Sequence, residues 1–460
     1  MQIILLSGGS GSRLWPLSND TRSKQFLKIL PVEGTDERES MIQRVVRQIK
    51  DAHLDANITI ATSISQRDSV TTQLGNQVNI VTEPNRRHTF PAICLACEYL
   101  ANMSGCSDEE TVVVMPCDPL TEAGYYDAIK NMADGISKDL YQLILMGIKP
   151  TYPSSKYGYI LPGKSTENEP NPVKVVSFKE KPSVAEAEKL IEDEAFWNAG
   201  VFAFKLGFIR SLSKEYIALP ENLEEASGSK KFEYYLQNFD KYPRISFDYE
   251  VVEKTADMGM VPFKGFWKDL GTWNTLTDEL SVSQYGNVIT DGTTQNTHIF
   301  NELNIPLLCI GTSDLIIAAS PDGIIVSEKS KSENVKKFAA TLKQRPMFEE
   351  RRWGTYKVVD YVEFPDNFHA LTKQLTLNPG ACISYQKHSC RDEVWTFIDG
   401  EGEIVLDGER KPVRRGDVIN IPKGQKHALR ATTSLTFIEV QHGSNLIEED
   451  IERFPYSWED

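Results

Sequence analysis

Up to about residue 210 the chain alternates short apolar runs with polar, helix-patterned stretches. The runs are Ile3 to Leu6, ITIAT (58–62), VNIVTE (78–83), TVVVMP (111–116), LILMGI (143–148), VKVVSF (173–178) and VFAFK (201–205). Runs of this length bounded by turn residues fit strands buried in a sheet. Helical patterns lie between several of them, around 40–51, 91–102 and 122–135. Such alternation predicts an α/β fold on a mostly parallel sheet, with the chemistry at the carboxyl ends of the strands. From about Gly286 the pattern changes. Strand-like pieces crowd together, with turns at Asp291-Gly292 and Pro321-Asp322-Gly323. A helix is expected near 331–343, and Arg345-Pro346 marks a boundary. After Arg352-Trp353-Gly354 the chain reads as strand and turn to about 442. Three parts are expected: 1–280, a β-rich connector over 281–344, and an all-β part over 345–460.

With 460 residues, 40% apolar and 25% charged, the chain is ordinary globular material. Its net charge of −15 excludes general affinity for nucleic acid or an anionic membrane. An anionic substrate must then be met by local cations. No segment is long and apolar enough to span a bilayer. The amino end runs straight into a strand, without a basic leader or a cleavage-type site, so a cytoplasmic protein is expected. Seven scattered cysteines fit a reducing compartment rather than a disulfide framework. Cys94 and Cys97 lie in the apolar run AICLACEYLA, where a core-facing helix stripe is the simpler reading.

The richest chemistry follows the first strand: Ser7-Gly8-Gly9-Ser10-Gly11-Ser12-Arg13, with Lys24 eleven residues on. Glycine lets the backbone approach a phosphate and aim its N–H groups at the oxygens. Arg13 adds a fixed planar donor fork, and Lys24 is near enough to fold back over the same site. No Gly-Lys-Ser/Thr follows, which excludes a Walker A loop. Trp15-Pro16-Leu17 interrupts the helix that a dinucleotide fingerprint requires.

The stretch GGSGSRLWPLSNDTRSKQF resembles the sugar-nucleotide pyrophosphorylase motif, and is most similar to the mannose-1-phosphate guanylyltransferase family in its long form with a C-terminal cupin. Ser12 stands where the family has threonine, and Ser23 where it has the proline before the lysine. The resemblance implies a Rossmann-like nucleotidyltransferase sheet, a short β-rich connector and a cupin jelly roll. It implies transfer of GMP from GTP to mannose 1-phosphate, without a covalent intermediate, in GDP-mannose and polysaccharide biosynthesis. Ser7, Gly8, Gly9, Ser10, Gly11, Ser12, Glu83, Arg87 and Thr89 would contact the nucleotide. In the Glu83–Pro91 segment His88 and Phe90 replace the family's Asn and Ala. Arg13 and Lys24 would spread charge on the triphosphate, and Asp118 and Asp269 would hold Mg²⁺. Pro119 stands where the family has histidine. Tyr157, Gly158, Glu180, Lys181, Asn198, Asp248 and Glu253 would form the sugar-phosphate site, with Lys181 on the phosphate.

At the far end the spacings Gly-x5-Gln-x-His-x4-Glu-x6-Gly (380–400) and Gly-x5-Pro-x-Gly-x2-His (416–427) resemble the two cupin motifs. Gln386 and His388, two apart, share one face of a strand. With Glu393 and His427 they suit Zn²⁺ or another first-row divalent ion. The resemblance also admits a bifunctional enzyme, in which the cupin interconverts mannose 6-phosphate and fructose 6-phosphate. Against it, the chain ends PYSWED where the family ends Tyr-Gly-Arg. Transfer to another sugar 1-phosphate, or a regulatory sugar-nucleotide-binding subunit without turnover, would use the same residues. A homodimer is an expectation from the family alone.

Overall fold

Nine strands make the central sheet of the amino-terminal part: β1 (Gln2–Ser7), β2 (Asn57–Ser63), β3 (Asn79–Glu83), β4 (Thr111–Pro116), β5 (Leu143–Ile148), β6 (Tyr159–Pro162), β7 (Val173–Lys179), β8 (Phe196–Lys205) and β9 (Met258–Phe263). These come from a computed structural model, which describes residues 1–9, 12–32, 34–163, 172–448 and 450–459. The strand order is β3-β2-β1-β4-β8-β5-β9-β7-β6. Alternate residues of β1 feed two different cores. Ile3 and Leu5 pack with helix Met41–Asp51 on one face, and Ile4 packs with helix Thr89–Asn102 on the other. Cys94 and Cys97 are fully buried in the latter helix, as its apolar pattern implies.

The sheet is mixed rather than mostly parallel. The pairs β1–β2, β1–β4, β2–β3 and β5–β9 are parallel. The pairs β4–β8, β5–β8, β7–β9 and β6–β7 are antiparallel. The antiparallel β6–β7 pair reverses the chain direction. The crossover through helix Val184–Glu192 then delivers β8 against its neighbours. Apolar periodicity marks where a strand lies, but direction depends on which neighbour it joins. β8 is also longer than the apolar run 201–205. Its first half, Phe196–Gly200, shifts register against β5 between Asn198 and Phe202, with Gly200 at φ +69°. A bulge of this kind re-aims a side chain.

Two compact units result: Met1–Ser10 with Ser23–Leu280, and Gly11–Arg22 with Ser281–Asp460. The second unit holds the connector and the cupin, and it also takes in the segment after the glycines. In the connector, Gln284–Gly286, His298–Asn301 and Leu315–Ser320 pair in parallel, and Gly323–Glu328 closes that sheet antiparallel. The helix expected over 331–343 is shorter: a 3₁₀ turn Lys329–Asn334 precedes one α-helical stretch, Val335–Ala339. Asn334 bonds the Lys331 carbonyl with its own side chain, a local competitor to regular helix. The cupin packs a six-stranded sheet on a five-stranded sheet, with Trp395, Phe397, Phe437 and Leu429 between them.

Candidate functional site

The turn after β1 is pinned by its carbonyls. Thr62 Oγ1 and Gln25 Nε2 donate to the Ser7 carbonyl at 3.0 and 3.2 Å. Ser23 Oγ and Gln66 Nε2 donate to the Gly9 carbonyl at 2.7 and 2.9 Å. An incoming anion therefore meets a loop whose acceptors are already engaged. None of Thr62, Gln25 or Gln66 stands out in the sequence. Ser23, at the position where the family has proline, supplies one of the braces. A Cβ on Gly9 would meet nothing within 4 Å, whereas one on Gly8 would sit 3.1 Å from Glu83 Oε1. Burial pushes the Glu83 carboxyl up to about 7, with Arg86 pulling the other way. Ser10 and Gly11 lie outside the described residues.

Asp118 lies two residues past the end of β4. Asp269 ends the short strand Trp267–Asp269, which pairs antiparallel with Pro119–Thr121 so that Asp269 faces Pro119. That ladder brings two distant carboxylates side by side. Lys24 Nζ lies 2.5 Å from Asp118 Oδ2 and 3.5 Å from Asp269 Oδ1. A cationic head thus already sits against both carboxylates. Their hard oxygen donors also fit Mg²⁺, which takes one or two carboxylates and completes its shell with phosphate and water. Arg13 is exposed, on the single turn Ser12–Leu14, within the segment grouped with the second unit.

The expected sugar-phosphate residues gather around β6 to β8, where the start of β8 also pairs with β6. Asn198, at the bulge, donates to Asp248 Oδ1 at 2.7 Å and accepts from Gly200 N at 3.0 Å. Its own N–H bonds the Gly158 carbonyl at 2.8 Å. Glu180 is buried and ion-paired to Lys181, and its backbone N–H reaches Glu253 Oε1 at 3.4 Å. Burial, with Asp248 nearby, raises the Glu180 carboxyl above its usual range. Burial does the same to Asp248. Glu180 Oε2 is buried without a hydrogen-bond partner among the described residues. A polar atom left this way costs free energy until a ligand group satisfies it. Tyr157 packs its ring on Trp197 at 4.8 Å between centroids and edge-on to Trp267 at 5.8 Å.

Arg87 and Thr89 are committed elsewhere in the same unit. Arg87 donates to Asp240 Oδ1 at 2.7 and 2.9 Å and to the Tyr242 carbonyl at 2.9 Å. Thr89 Oγ1 accepts from Phe247 N at 2.8 Å. Both therefore anchor the segment 240–247, which leads directly into Asp248.

In the cupin, His388, Glu393 and His427 bring one ligand atom each within 4.8 Å of one another, and all three are buried. The Gln386 amide nitrogen is 3.5 Å from His388 Nε2. His388 Nδ1 faces the Asp450 carbonyl at 2.5 Å, and His427 Nδ1 faces the Gln425 carbonyl at 3.0 Å. A ring nitrogen against a carbonyl must carry the proton, so each Nε2 presents a lone pair, that of His388 facing Arg391 Nη2 at 3.3 Å. Burial pushes the His427 imidazole down to about 4, which keeps it neutral. His427 Nε2 is a buried atom without a hydrogen-bond partner among the described residues. These residues fit a divalent metal. Around them sit residues that the motif left unassigned. Arg391 Nε donates to Glu393 Oε1 at 2.8 Å, and Trp395 Nε1 bridges Glu393 and Glu439 at 3.1 and 3.2 Å. Gln441 Nε2 donates to Glu439 Oε2 at 2.9 Å.

A glycine turn at the head of a mixed sheet, with lysine and two aspartates converging past the strand ends, is the architecture of a nucleotidyl transferase. The Nucleotidyl transferase family model matches residues 2–284, and that of the Mannose-6-phosphate isomerase C-terminal region matches 341–456. The chain is 31% identical to the xanthan biosynthesis protein XanB of Xanthomonas campestris pv. campestris (strain B100), over 98% of this chain and 97% of that one. It is 30% identical to the mannose-1-phosphate guanylyltransferases of Escherichia coli (strain K12), with 98% and 97% covered, and of Klebsiella pneumoniae, with 98% of each covered. The crystal structure of a mannose-1-phosphate geranyltransferase from Thermus thermophilus shares the fold, with a TM-score of 0.58 and 24% identity over 75% of this chain and 99% of that one. The chain belongs to the mannose-1-phosphate guanylyltransferase family.

Proposed function

We propose that the chain transfers the GMP group of GTP to mannose 1-phosphate, releasing GDP-mannose and pyrophosphate. The observation that carries this reading is Lys24 Nζ against both Asp118 and Asp269, in a chain whose relatives are named for this reaction. No protein nucleophile is required. An ionised oxygen of the sugar phosphate attacks the α-phosphorus, the bond to the bridging oxygen of the β-phosphate breaks, and pyrophosphate leaves in line. The chain supplies position and charge. Lys24 neutralises the triphosphate, a role that the sequence resemblance extends to Arg13, the glycine turn lets it approach closely, and Lys181 holds the attacking phosphate as a point charge. Asn198, Glu180, Asp248 and Glu253 offer donors and acceptors to the sugar hydroxyls. Asp118 and Asp269 would hold Mg²⁺, which supplies charge neutralisation of the phosphates when bound. Pyrophosphate release measured for GTP, ATP, UTP, CTP and dTTP against mannose 1-phosphate and glucose 1-phosphate tests the reading. Turnover is expected for GTP with mannose 1-phosphate, and preference for another pair would reassign the substrates.

The buried His388–Glu393–His427 cluster favours a second reading for the cupin, the interconversion of mannose 6-phosphate and fructose 6-phosphate. Gln386, His388, Glu393 and His427 would hold Zn²⁺ or another divalent ion, which polarises a carbonyl when bound. Fructose 6-phosphate formation in the presence of Co²⁺ or Zn²⁺ decides between an active isomerase and a cupin without this activity.

A further inference from the structure

The two cupin motifs end at His427, but the chain runs on to Asp460, and its last stretch returns to the candidate metal donors. Leu446 is buried in the cupin core. The Ile447 carbonyl next accepts from Arg391 Nη1 at 2.9 Å, and Arg391 is the residue whose Nη2 faces His388. Asp450 then meets His388 itself. Its carbonyl lies against His388 Nδ1 at 2.5 Å, and its side-chain oxygens accept from Ser389 N and Cys390 N, each at 3.0 Å. One residue thus takes three bonds from three consecutive residues, beginning at a metal donor. Two residues further on, Glu452–Arg453 adds a short antiparallel strand to Cys382–Lys387, with Arg453 opposite Gln386. The same strap therefore also braces the strand that carries Gln386.

The far end of this strap is anchored on the outside of the cupin. Phe454 N donates to the Tyr385 carbonyl at 2.8 Å, and Lys426 Nζ lies 4.1 Å from the centre of the Phe454 ring. Arg410 donates through Nε to Tyr456 Oη at 2.8 Å and through Nη2 to the Ser457 carbonyl at 2.9 Å. Its guanidinium also lies 5.5 and 5.4 Å from the ring centres of Tyr456 and Trp458. A cation over an aromatic face is held by the ring quadrupole without leaving solvent. The PYSWED ending, in the sequence only a departure from the family, supplies the aromatic groups of this anchor.

A neutral imidazole binds a metal through its unprotonated nitrogen, and the hydrogen bond on the other nitrogen decides which one that is. For His427 the partner is the Gln425 carbonyl, two residues away. For His388 it is a carbonyl sixty-two residues on, in the carboxy-terminal strap. We propose that Asp450 is a positioning residue of the cupin metal centre. It fixes the tautomer and ring of His388, and the strap holds it in place, so that metal affinity depends on the chain's own carboxy-terminal segment. This rests on the divalent-metal reading of His388, Glu393 and His427, and not on isomerase activity.

Co²⁺ titration of the full chain, followed by visible absorption, tests the proposal. Asp450→Ala removes the acceptors for Ser389 N and Cys390 N and frees the carbonyl that faces His388. It is expected to weaken Co²⁺ binding by ~10–100-fold, the scale for losing the outer partner of a metal-bound histidine, and to alter the Co²⁺ bands. Asp450→Asn keeps one acceptor oxygen and should recover part of the affinity. Arg410→Gln releases only the far end of the strap and should weaken binding less than Asp450→Ala. Melting curves and near-ultraviolet circular dichroism establish that each variant is folded. A strap that only stabilises the fold would lower the melting temperature and leave the Co²⁺ affinity and bands of the folded protein unchanged, and that result for Asp450→Ala overturns the proposal. Should Asp450→Ala not fold, wild-type Co²⁺ affinity in Arg410→Gln overturns it instead. A wild-type chain that binds no Co²⁺ overturns the metal reading, and this inference with it.

Discussion

Replacing Gly158 with alanine should disable sugar-phosphate handling while sparing the nucleotide end of the site. A Cβ at this position would lie 2.5 Å from Glu180 Oε2, 2.8 Å from Phe178 Cζ and 3.1 Å from Phe178 Cε2. Carbon contacts settle at ~3.5–4.0 Å, so the methyl must drive its neighbours back by roughly 1 Å. Neither can yield freely. Glu180 is 6% exposed and paired to Lys181, whose backbone is already in the left-handed region at φ +45°. Gly158 itself is tied through its carbonyl to Asn198 N. Overpacking of this kind costs ~1–3 kcal/mol of stability. A displacement of about 1 Å at Glu180 and Lys181 should lower kcat/KM for mannose 1-phosphate by ~10²-fold. Initial rates at saturating GTP and varied mannose 1-phosphate read this out, with GTP binding followed by calorimetry. A variant that folds and keeps wild-type kcat/KM for the sugar phosphate, or that loses GTP binding while sugar-phosphate kinetics persist, would rule out this role for Gly158.

Lys24→Met leaves Asp118 and Asp269 without their shared ammonium and should slow pyrophosphate release by ~10²–10³-fold, the scale for losing one preorganised electrostatic donor; a small effect would remove Lys24 from the chemistry. Glu83 gives a pH signature. Its carboxyl titrates near 4.5 when unfolded and is raised to about 7 in the fold. Between those values the native state keeps a proton that the unfolded chain has released, so stability falls as pH rises from 4.5 to 7 and is level above. The full loss is roughly 3 kcal/mol at 1.36 kcal/mol per pH unit. Glu83→Gln should remove this slope from urea unfolding measured at pH 5 and pH 8, and parallel slopes for variant and wild type would contradict it. His427→Ala should abolish the visible absorption of Co²⁺ bound in the cupin; an unchanged Co²⁺ titration would place the metal elsewhere.

Much of this architecture is legible in the sequence because it is local. Buried strands show as apolar runs, the glycine turn shows as glycines, and the cupin donors recur at fixed spacings. What escapes is whatever depends on partners brought from afar. The direction of β8 depends on the reversal at β6–β7, which leaves no trace in the run VFAFK. Thr62, Gln25 and Gln66 look like ordinary polar residues, yet they hold the Ser7 and Gly9 carbonyls, because only folding sets β2 and the residues after Ser23 beside the turn. Asp269 is legible by resemblance, but the ladder that sets it opposite Pro119 is not. Glu439 and Gln441 escape because they meet the cupin donors from a neighbouring strand. The connector's hold on Asn19 and Arg22 spans some three hundred residues, beyond any pattern of spacing.

In the proposed reaction a cationic and carboxylate cluster past the strand ends drives attack of a sugar phosphate on GTP. Phosphorus-31 NMR of the purified chain with GTP, mannose 1-phosphate and Mg²⁺ tests it most directly. GDP-mannose and pyrophosphate are expected to appear in equal amounts, with no change in GTP when the sugar phosphate is omitted. Inorganic phosphate in place of pyrophosphate, GTP consumption that ignores mannose 1-phosphate, or an unchanged spectrum would contradict it.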